Sequence, residues 1–150
     1  MTATPKRFID DYLSYLRARA SHAVYKEFEK QVNAAGLASL EWRVLATLSG
    51  GGGLTDGLAI GELAREVLAK QPTLTKLVQR MAQNGWVRLG ADAADARRTV
   101  VFATAKGRRV VARLIDAARA HEAELLAGIG AREVTQLKAL LRNLAHRDNA

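Results

Sequence analysis

Residues 63–104 read LAREVLAKQPTLTKLVQRMAQNGWVRLGADAADARRTVVFAT, and the order of patterns in this stretch decides the fold. Two apolar rows at helical spacing come first, Ile60-Leu63-Ala64-Val67 and then Leu74-Leu77-Val78-Met81. Pro72 stands where the second of these helices begins, a position that suits it because its missing N–H would go unpaired there anyway. Gly85 stops that helix. Trp86-Val87-Arg88-Leu89 and Thr99 to Thr104 follow as antiparallel strands around a tip of small residues, GADAADAR. A helix, a turn, a second helix and a hairpin wing make a shape that suits the grooves of duplex DNA.

The charge lies in the same place. Between Lys70 and Arg113 there are ten Lys/Arg (Lys70, Lys76, Arg80, Arg88, Arg97, Arg98, Lys106, Arg108, Arg109 and Arg113) and two acids, Asp92 and Asp95. That balance of +8 equals the formal net charge of the whole chain, because residues 1–69 carry eight bases and eight acids, and residues 114–150 five of each. A charge that served only solubility would be scattered, so its confinement to one motif points to a polyanion. The outer face of the second helix, Thr73, Thr75, Lys76, Gln79, Arg80 and Gln83, is polar without a single carboxylate. Solvated faces normally mix signs, so this face is suited to something negative.

Upstream, Ile9, Leu13, Leu16, Ala20, Val24, Phe28 and Val32 keep a three-to-four spacing for about seven turns and predict one long helix over 6–33, with Asp10 and Asp11 in its first turn and Gly36 at its end. Leu40, Val44, Leu45 and Leu48 predict a helix over Ser39 to Ser49 with Ser39 as its cap. GGGGLTDG at 50–57 lacks a following Lys-Ser/Thr, so it reads as a connector and not a phosphate loop, and Leu58-Ala59-Ile60 can add a short strand to the wing. Downstream, Val110, Val111, Leu114, Ile115, Ala118, His121, Leu125 and Leu126 mark a helix over about 106–127. After Gly128-Ile129-Gly130, Val134, Leu137, Leu140, Leu141 and Leu144 mark a last one. The terminal helices offer more apolar surface than one winged unit can bury, which predicts either a helical dimer interface or a self-contained bundle core.

Composition narrows the function. At 150 residues with 49% hydrophobic and 25% charged residues, the chain reads as one folded domain. No apolar run approaches the roughly 18 residues of a membrane span. MTATPKRFIDDY at the start lacks a signal peptide's apolar core, so the expectation is a cytoplasmic protein without membrane partners. The absence of Cys removes disulfides and thiolate metal sites, and His22, His121 and His146 share no ligand spacing. No metal, no cofactor and no catalytic constellation are expected.

Thr73-Leu74-Thr75-Lys76-Leu77-Val78 with Arg80, then Gly85-Trp86-Val87, then Asp92-x-x-Asp95-x-Arg97, then Thr104-x-x-Gly107, taken in order, resemble the MarR (multiple antibiotic resistance regulator) family of transcription factors. The segment around Leu37 to Leu48 resembles that family's second helix. The pattern departs at Leu68-Ala69-Lys70, where the family usually has Gly, an apolar residue and a Ser or Asp cap. It departs again at Leu89, where a basic residue is common, and at Ala103, where Leu is usual.

The resemblance implies a mainly α fold with a small antiparallel β wing, a winged helix-turn-helix of about 36–105 flanked by dimerisation helices at about 6–33 and 106–147. It implies a homodimer on a pseudo-palindromic operator, its two recognition helices roughly 34–36 Å apart in successive major grooves. On that reading Gln71, Thr73, Thr75, Lys76 and Gln79 lie near base edges, and Arg80 near phosphate. Arg97 enters the minor groove with Asp95 pairing its guanidinium, and Arg98 meets the backbone.

Proteins of this family are most often repressors, and commonly hold an effector between the dimer helices and the winged lobe. Tyr15, Arg19 and His22 share one face of the first helix, and Trp42 lies on the next, so a small aromatic acid could stack there and pair with Arg19. The same four residues also read as ordinary core and dimer-interface polars. A constitutive architectural DNA binder, and a helical ligand-binding protein or enzyme without DNA, are the alternatives. Competition between operator and random duplex, and retention on any duplex at low salt, separate them.

Overall fold

The computed structural model describes residues 7–49 and 57–149, side chains to 147. The helices are α1 (Leu13–Ala34), α2 (Ser39–Ser49), α3 (Ile60–Glu66), α4 (Gln71–Gln83), α5 (Ala105–Leu126) and α6 (Ala131–Ala145). The strands are β1 (Leu58–Ala59), β2 (Val87–Ala91) and β3 (Thr99–Ala103). The expected mainly helical chain with a small antiparallel sheet is therefore what is found. Most of the glycine-rich connector at 50–57 lies outside the described residues.

Two compact units divide within α5, one Met1–Ala117 and the other Ala118–Ala150. In the first unit the core is built from the inward rows of every element. Val32 of α1, Val44 and Leu45 of α2, Leu63 of α3, Leu74, Val78 and Met81 of α4, Val101 of β3 and Val111 of α5 are all fully buried, with Val67 beside them. Strand order is β1-β3-β2, with Leu58 opposite Val101 and the hairpin running from Val87 opposite Ala103 to Ala91 opposite Thr99.

The start of the chain differs from its expectation. Phe8–Asp11 form a 3₁₀ turn, Tyr12 is extended, and α1 begins only at Leu13. A 2.7 Å ion pair between Arg7 and Asp10 and a stack of the Phe8 and Tyr12 rings 5.0 Å apart close this tighter turn. Asp10 and Asp11 thus belong to it and not to the first turn of α1. The Arg7 guanidinium holds the Asp10 carboxyl below its usual range.

Ser39 is not the cap of α2 either. Its hydroxyl donates to Glu29 Oε1 across to α1 (3.1 Å), while the Ala38 N–H donates to Glu41 Oε1 at 2.9 Å. Glu41, buried though charged, supplies the backward half of a capping box.

Three helix ends share one geometry. After α1, α3 and α4 the chain turns through a residue with positive φ, Gly36 (85°), Leu68 (58°) and Gly85 (77°). The two following N–H groups close back on the helix: Gly36 to Asn33 O and Leu37 to Val32 O, Leu68 to Arg65 O and Ala69 to Ala64 O, Gly85 to Ala82 O and Trp86 to Met81 O. This is the Schellman pattern, which satisfies carbonyls a helix end leaves orphaned. At the α3–α4 turn it is made without glycine.

The wing is welded to α5. Thr104 Oγ1 donates to Gly85 O (2.6 Å) and accepts from Gly107 N (3.0 Å), so one hydroxyl caps α5 and fastens it to the end of α4. Lys106 Nζ donates to Asn84 O at 2.8 Å and sits 4.3 Å from the centre of the Trp86 ring. A Cβ on Gly107 would run into Trp86 O and stand 3.1 Å from Leu45 Cδ2, so this close approach requires glycine.

In the second unit, α6 turns back from α5 after Gly130 and is held by Lys138 to Glu122 (2.8 Å). It buries none of its residues.

Candidate nucleic-acid interface

Helix α4 presents its two faces as the sequence predicts. Leu74, Leu77, Val78 and Met81 are buried, while Gln71, Thr73, Lys76, Gln79, Arg80 and Gln83 are exposed. Thr75 is half-buried, and its hydroxyl donates to Gln71 O at 2.9 Å, which turns it towards its own helix. Lys70 precedes the helix in extended conformation, and no side chain caps its start. A shallow depression of about 300 Å³ runs along this face between Pro72, Thr73, Lys76, Leu77 and Arg80.

The wing tip is ordered by its aspartates. Asp92 Oδ1 accepts from Ala94 N (2.8 Å) and Asp95 Oδ1 from Arg97 N (3.0 Å), side-chain turns that rigidify the hairpin end. The expected pairing of Asp95 with the Arg97 guanidinium is not made. Asp95 fixes Arg97 through the main chain, and the guanidinium stands exposed without an ion pair among the described residues. Arg98 is the arginine that carboxylates hold, with Nη2 3.4 Å from Glu62 of α3 and Nη1 3.6 Å from Asp92.

Geometry thus sorts the ten cations. Arg88 lies over the Phe102 ring at 4.2 Å, Arg108 donates to Ala103 O at 2.8 Å, and Lys106 and Arg98 are engaged as above. Lys70, Lys76, Arg80, Arg97, Arg109 and Arg113 are exposed and have no partner among the described residues. Backbone carbonyls and aromatic faces recruit part of a positive block for structure, and nothing in residue spacing alone distinguishes that part.

Where α1 meets α2 there is a cleft of about 730 Å³. His22 and Trp42, both expected at an effector site, line it, and Tyr15 and Arg19 do not. Arg19 instead stands 5.9 Å from the centre of the Tyr15 ring. Ala18, His22, Tyr25 and Glu29 of α1 line the cleft, with Arg17, Ser21, Val24 and Lys26 to either side, so of Tyr15, Arg19 and His22 it is His22 that reaches it. Sequence reasoning missed Tyr25, Arg17, Lys26 and Arg43. The aromatic spacing of Tyr25 and Phe28 towards Trp42 was the available signal. Tyr25 and Phe28 lie 6.0 Å apart, Phe28 and Trp42 5.2 Å, both edge-to-face. The Tyr25 hydroxyl is buried with no hydrogen-bond partner among the described residues.

A helix-turn-helix whose second helix shows a carboxylate-free polar face, beside a wing that carries an unpaired arginine, defines a winged-helix DNA-binding protein. Residues 35–98 match the MarR family profile. Over 93% of this chain and 97% of the other, the structure is similar to that of the MarR family transcriptional regulator SPO1453 from Silicibacter pomeroyi DSS-3, at 35% identity and a TM-score of 0.79. The chain is 29% identical over 152 residues, 98% of its own length and 86% of the relative's, to the transcriptional activatory protein BadR of Rhodopseudomonas palustris. It shares its fold with NadR, solved in complex with 4-hydroxyphenylacetate, at 22% identity and a TM-score of 0.79 over 97% of this chain and 98% of that one. The chain belongs to the MarR family, and it is a DNA-binding transcriptional regulator and not an enzyme.

Proposed function

We propose that the protein works in the cytoplasm as a homodimer that grips a pseudo-palindromic operator and lets go when a small aromatic acid enters the α1–α2 cleft. The observation that carries the reading is the acid-free outer face of α4 beside the unpaired Arg97. Gln71, Thr73, Lys76 and Gln79 face the base edges, with Thr75 behind them, and Arg80 meets phosphate. Arg97 reaches the minor groove from a tip that Asp95 keeps in shape, which lowers the cost of ordering the backbone that carries it.

The dimer reading rests on the terminal helices. Phe8 is 77% exposed and Leu13 60%, and on α6 Leu140 is 62% exposed with Leu137, Leu141 and Leu144 also bare. A second copy that covers these faces also supplies the second reader, roughly 34–36 Å from the first. In the cleft, the Trp42 and Tyr25 rings suit an aromatic ligand and Arg17, Lys26 and Arg43 suit its carboxylate. NadR, of the same fold, has been solved with such an acid. Repression follows where the operator overlaps a promoter; BadR is named for the opposite sign, which operator position alone can produce.

The test is a salt series with the duplex upstream of the protein's own gene against random duplex. Operator binding is expected to fall on a log–log plot by a slope of about −0.9 for each phosphate neutralised. It is also expected to beat random duplex and to be reversed by benzoate, salicylate or 4-hydroxyphenylacetate. Equal affinity for random duplex would make the protein an architectural binder. No retention even in dilute salt would remove DNA from the account.

A further inference from the structure

Arg43 belongs to two places at once. From α2 it lines the α1–α2 cleft, and its Nη1 donates a 2.9 Å hydrogen bond to the carbonyl of Val67, twenty-four residues on. Val67 is the last residue before the left-handed Leu68, so its carbonyl sits at the hinge between α3 and α4. The Schellman closure at that hinge uses the carbonyls of Ala64 and Arg65 and leaves the Val67 oxygen to Arg43. Leu68 adopts a conformation that favours glycine and makes no compensating burial, since it is 82% exposed. The turn that aims the recognition helix is therefore strained, and Arg43 supports it from α2.

We infer that Arg43 is the residue that couples effector to DNA: an anionic ligand in the cleft draws its guanidinium off Val67 and loosens the α3–α4 turn. This inference rests on the effector reading above and deepens it. A guanidinium bound to a neutral carbonyl makes one charge-assisted bond, whereas a carboxylate offers two parallel acceptors and a full negative charge. A carboxylate in the cleft competes well for it. The Tyr25 hydroxyl, buried and unpartnered at the same cleft, offers the ligand a further hydrogen bond, and Trp42 offers a ring face or edge. A neutral aromatic of the same size would fill the space without moving Arg43. The device is thus selective for acids in its effect as well as in its affinity, as a population shift requires differential interaction with the two states.

The experiment compares wild type, Arg43→Met and Arg43→Lys, each checked for fold by circular dichroism, in operator binding with and without benzoate, salicylate and 4-hydroxyphenylacetate. Cleft occupancy is read from Trp42 fluorescence in a Trp86→Phe background. Arg43→Met is expected to bind operator at least fivefold more weakly than wild type, with an unchanged salt slope because Arg43 meets no phosphate. It should match ligand-saturated wild type and respond to acids by less than twofold. Arg43→Lys should recover part of both affinity and response. Benzyl alcohol, the uncharged control, should occupy the wild-type cleft without releasing DNA. Undiminished operator affinity in Arg43→Met, or release of that variant by an acid with the wild-type fold-change, would overturn the coupling while leaving the effector site standing. No fluorescence change with any acid in wild type would overturn the effector reading, and the coupling with it.

Discussion

The winged lobe and the terminal helices solve the burial problem in opposite ways. In the lobe, each of α2, α3, α4 and β3 turns an apolar row inward, and Val44, Leu45, Leu63, Leu74, Val78, Met81 and Val101 are sealed from water. On α6, Leu137, Leu140, Leu141 and Leu144 lie 45–62% exposed, and α1 buries Phe28 and Val32 but leaves Leu13, Leu16 and Val24 bare. Apolar rows of equal quality in sequence thus end in two environments. The reader's geometry is internally determined, whereas the terminal helices carry exposed hydrophobic surface, worth roughly 25 cal/mol per Å² when removed from water.

The largest expected effect tests that division. Replacing Leu140 and Leu141 with Glu should halve the mass measured by light scattering and weaken operator binding by on the order of a hundredfold, because the second half-site ceases to be an intramolecular event. Heteronuclear spectra of the lobe should keep their dispersion. If mass and operator affinity both survive the pair of charges, the exposed leucines are not the glue, and the contrast between the two regions loses its meaning.

The second effect is aimed at the lobe. Gly107→Ala places a methyl against the Trp86 carbonyl and Leu45, both fixed, and should cost roughly 1–3 kcal/mol of unfolding free energy, as overpacking does. Denaturant unfolding at constant protein concentration measures it. Since Thr104, Lys106 and Gly107 together fasten α5 to the end of α4, operator affinity should fall with stability. A silent Gly107→Ala would mean that this joint yields and that the lobe is less determined than its packing implies.

How much of this could be read beforehand follows from the range of the interactions involved. The rows of α2 and α4, the glycine stops at 36 and 85 and the added strand at Leu58 are local or periodic, and they were legible. Ser39 reads as a cap in sequence because the real one, Glu41, is a buried carboxylate inside the helix and looks like a surface residue there. The first helix reads longer in sequence than it is because its spacing continues through Ile9, while the Arg7–Asp10 pair and the Phe8–Tyr12 stack close a tighter turn. Arg98 and Arg43 take their partners 36 and 24 residues away, and no spacing rule points there. Which tyrosine of α1 lines the cleft is hidden for a similar reason. Tyr15 and Tyr25 are equally aromatic, and only the seating of α2 against α1 selects Tyr25.

The smallest effect separates what the lobe requires from what it tolerates. Gly36, Leu68 and Gly85 close three helices with one hydrogen-bond pattern, yet only Leu68 carries a side chain through positive φ. An L-residue there costs about 1–2 kcal/mol, and glycine's greater freedom in the unfolded chain takes back about 0.5–1 kcal/mol. Because the Leu68 side chain is almost fully solvated, its removal forfeits little burial. Leu68→Gly should therefore stabilise the protein by about 0.5–1 kcal/mol and raise Tm by roughly 1–4 °C. A loss of stability instead would show that the leucine makes a contact in the folded protein beyond its own chain, which places it with the exposed residues of the terminal helices and not with the self-sufficient lobe.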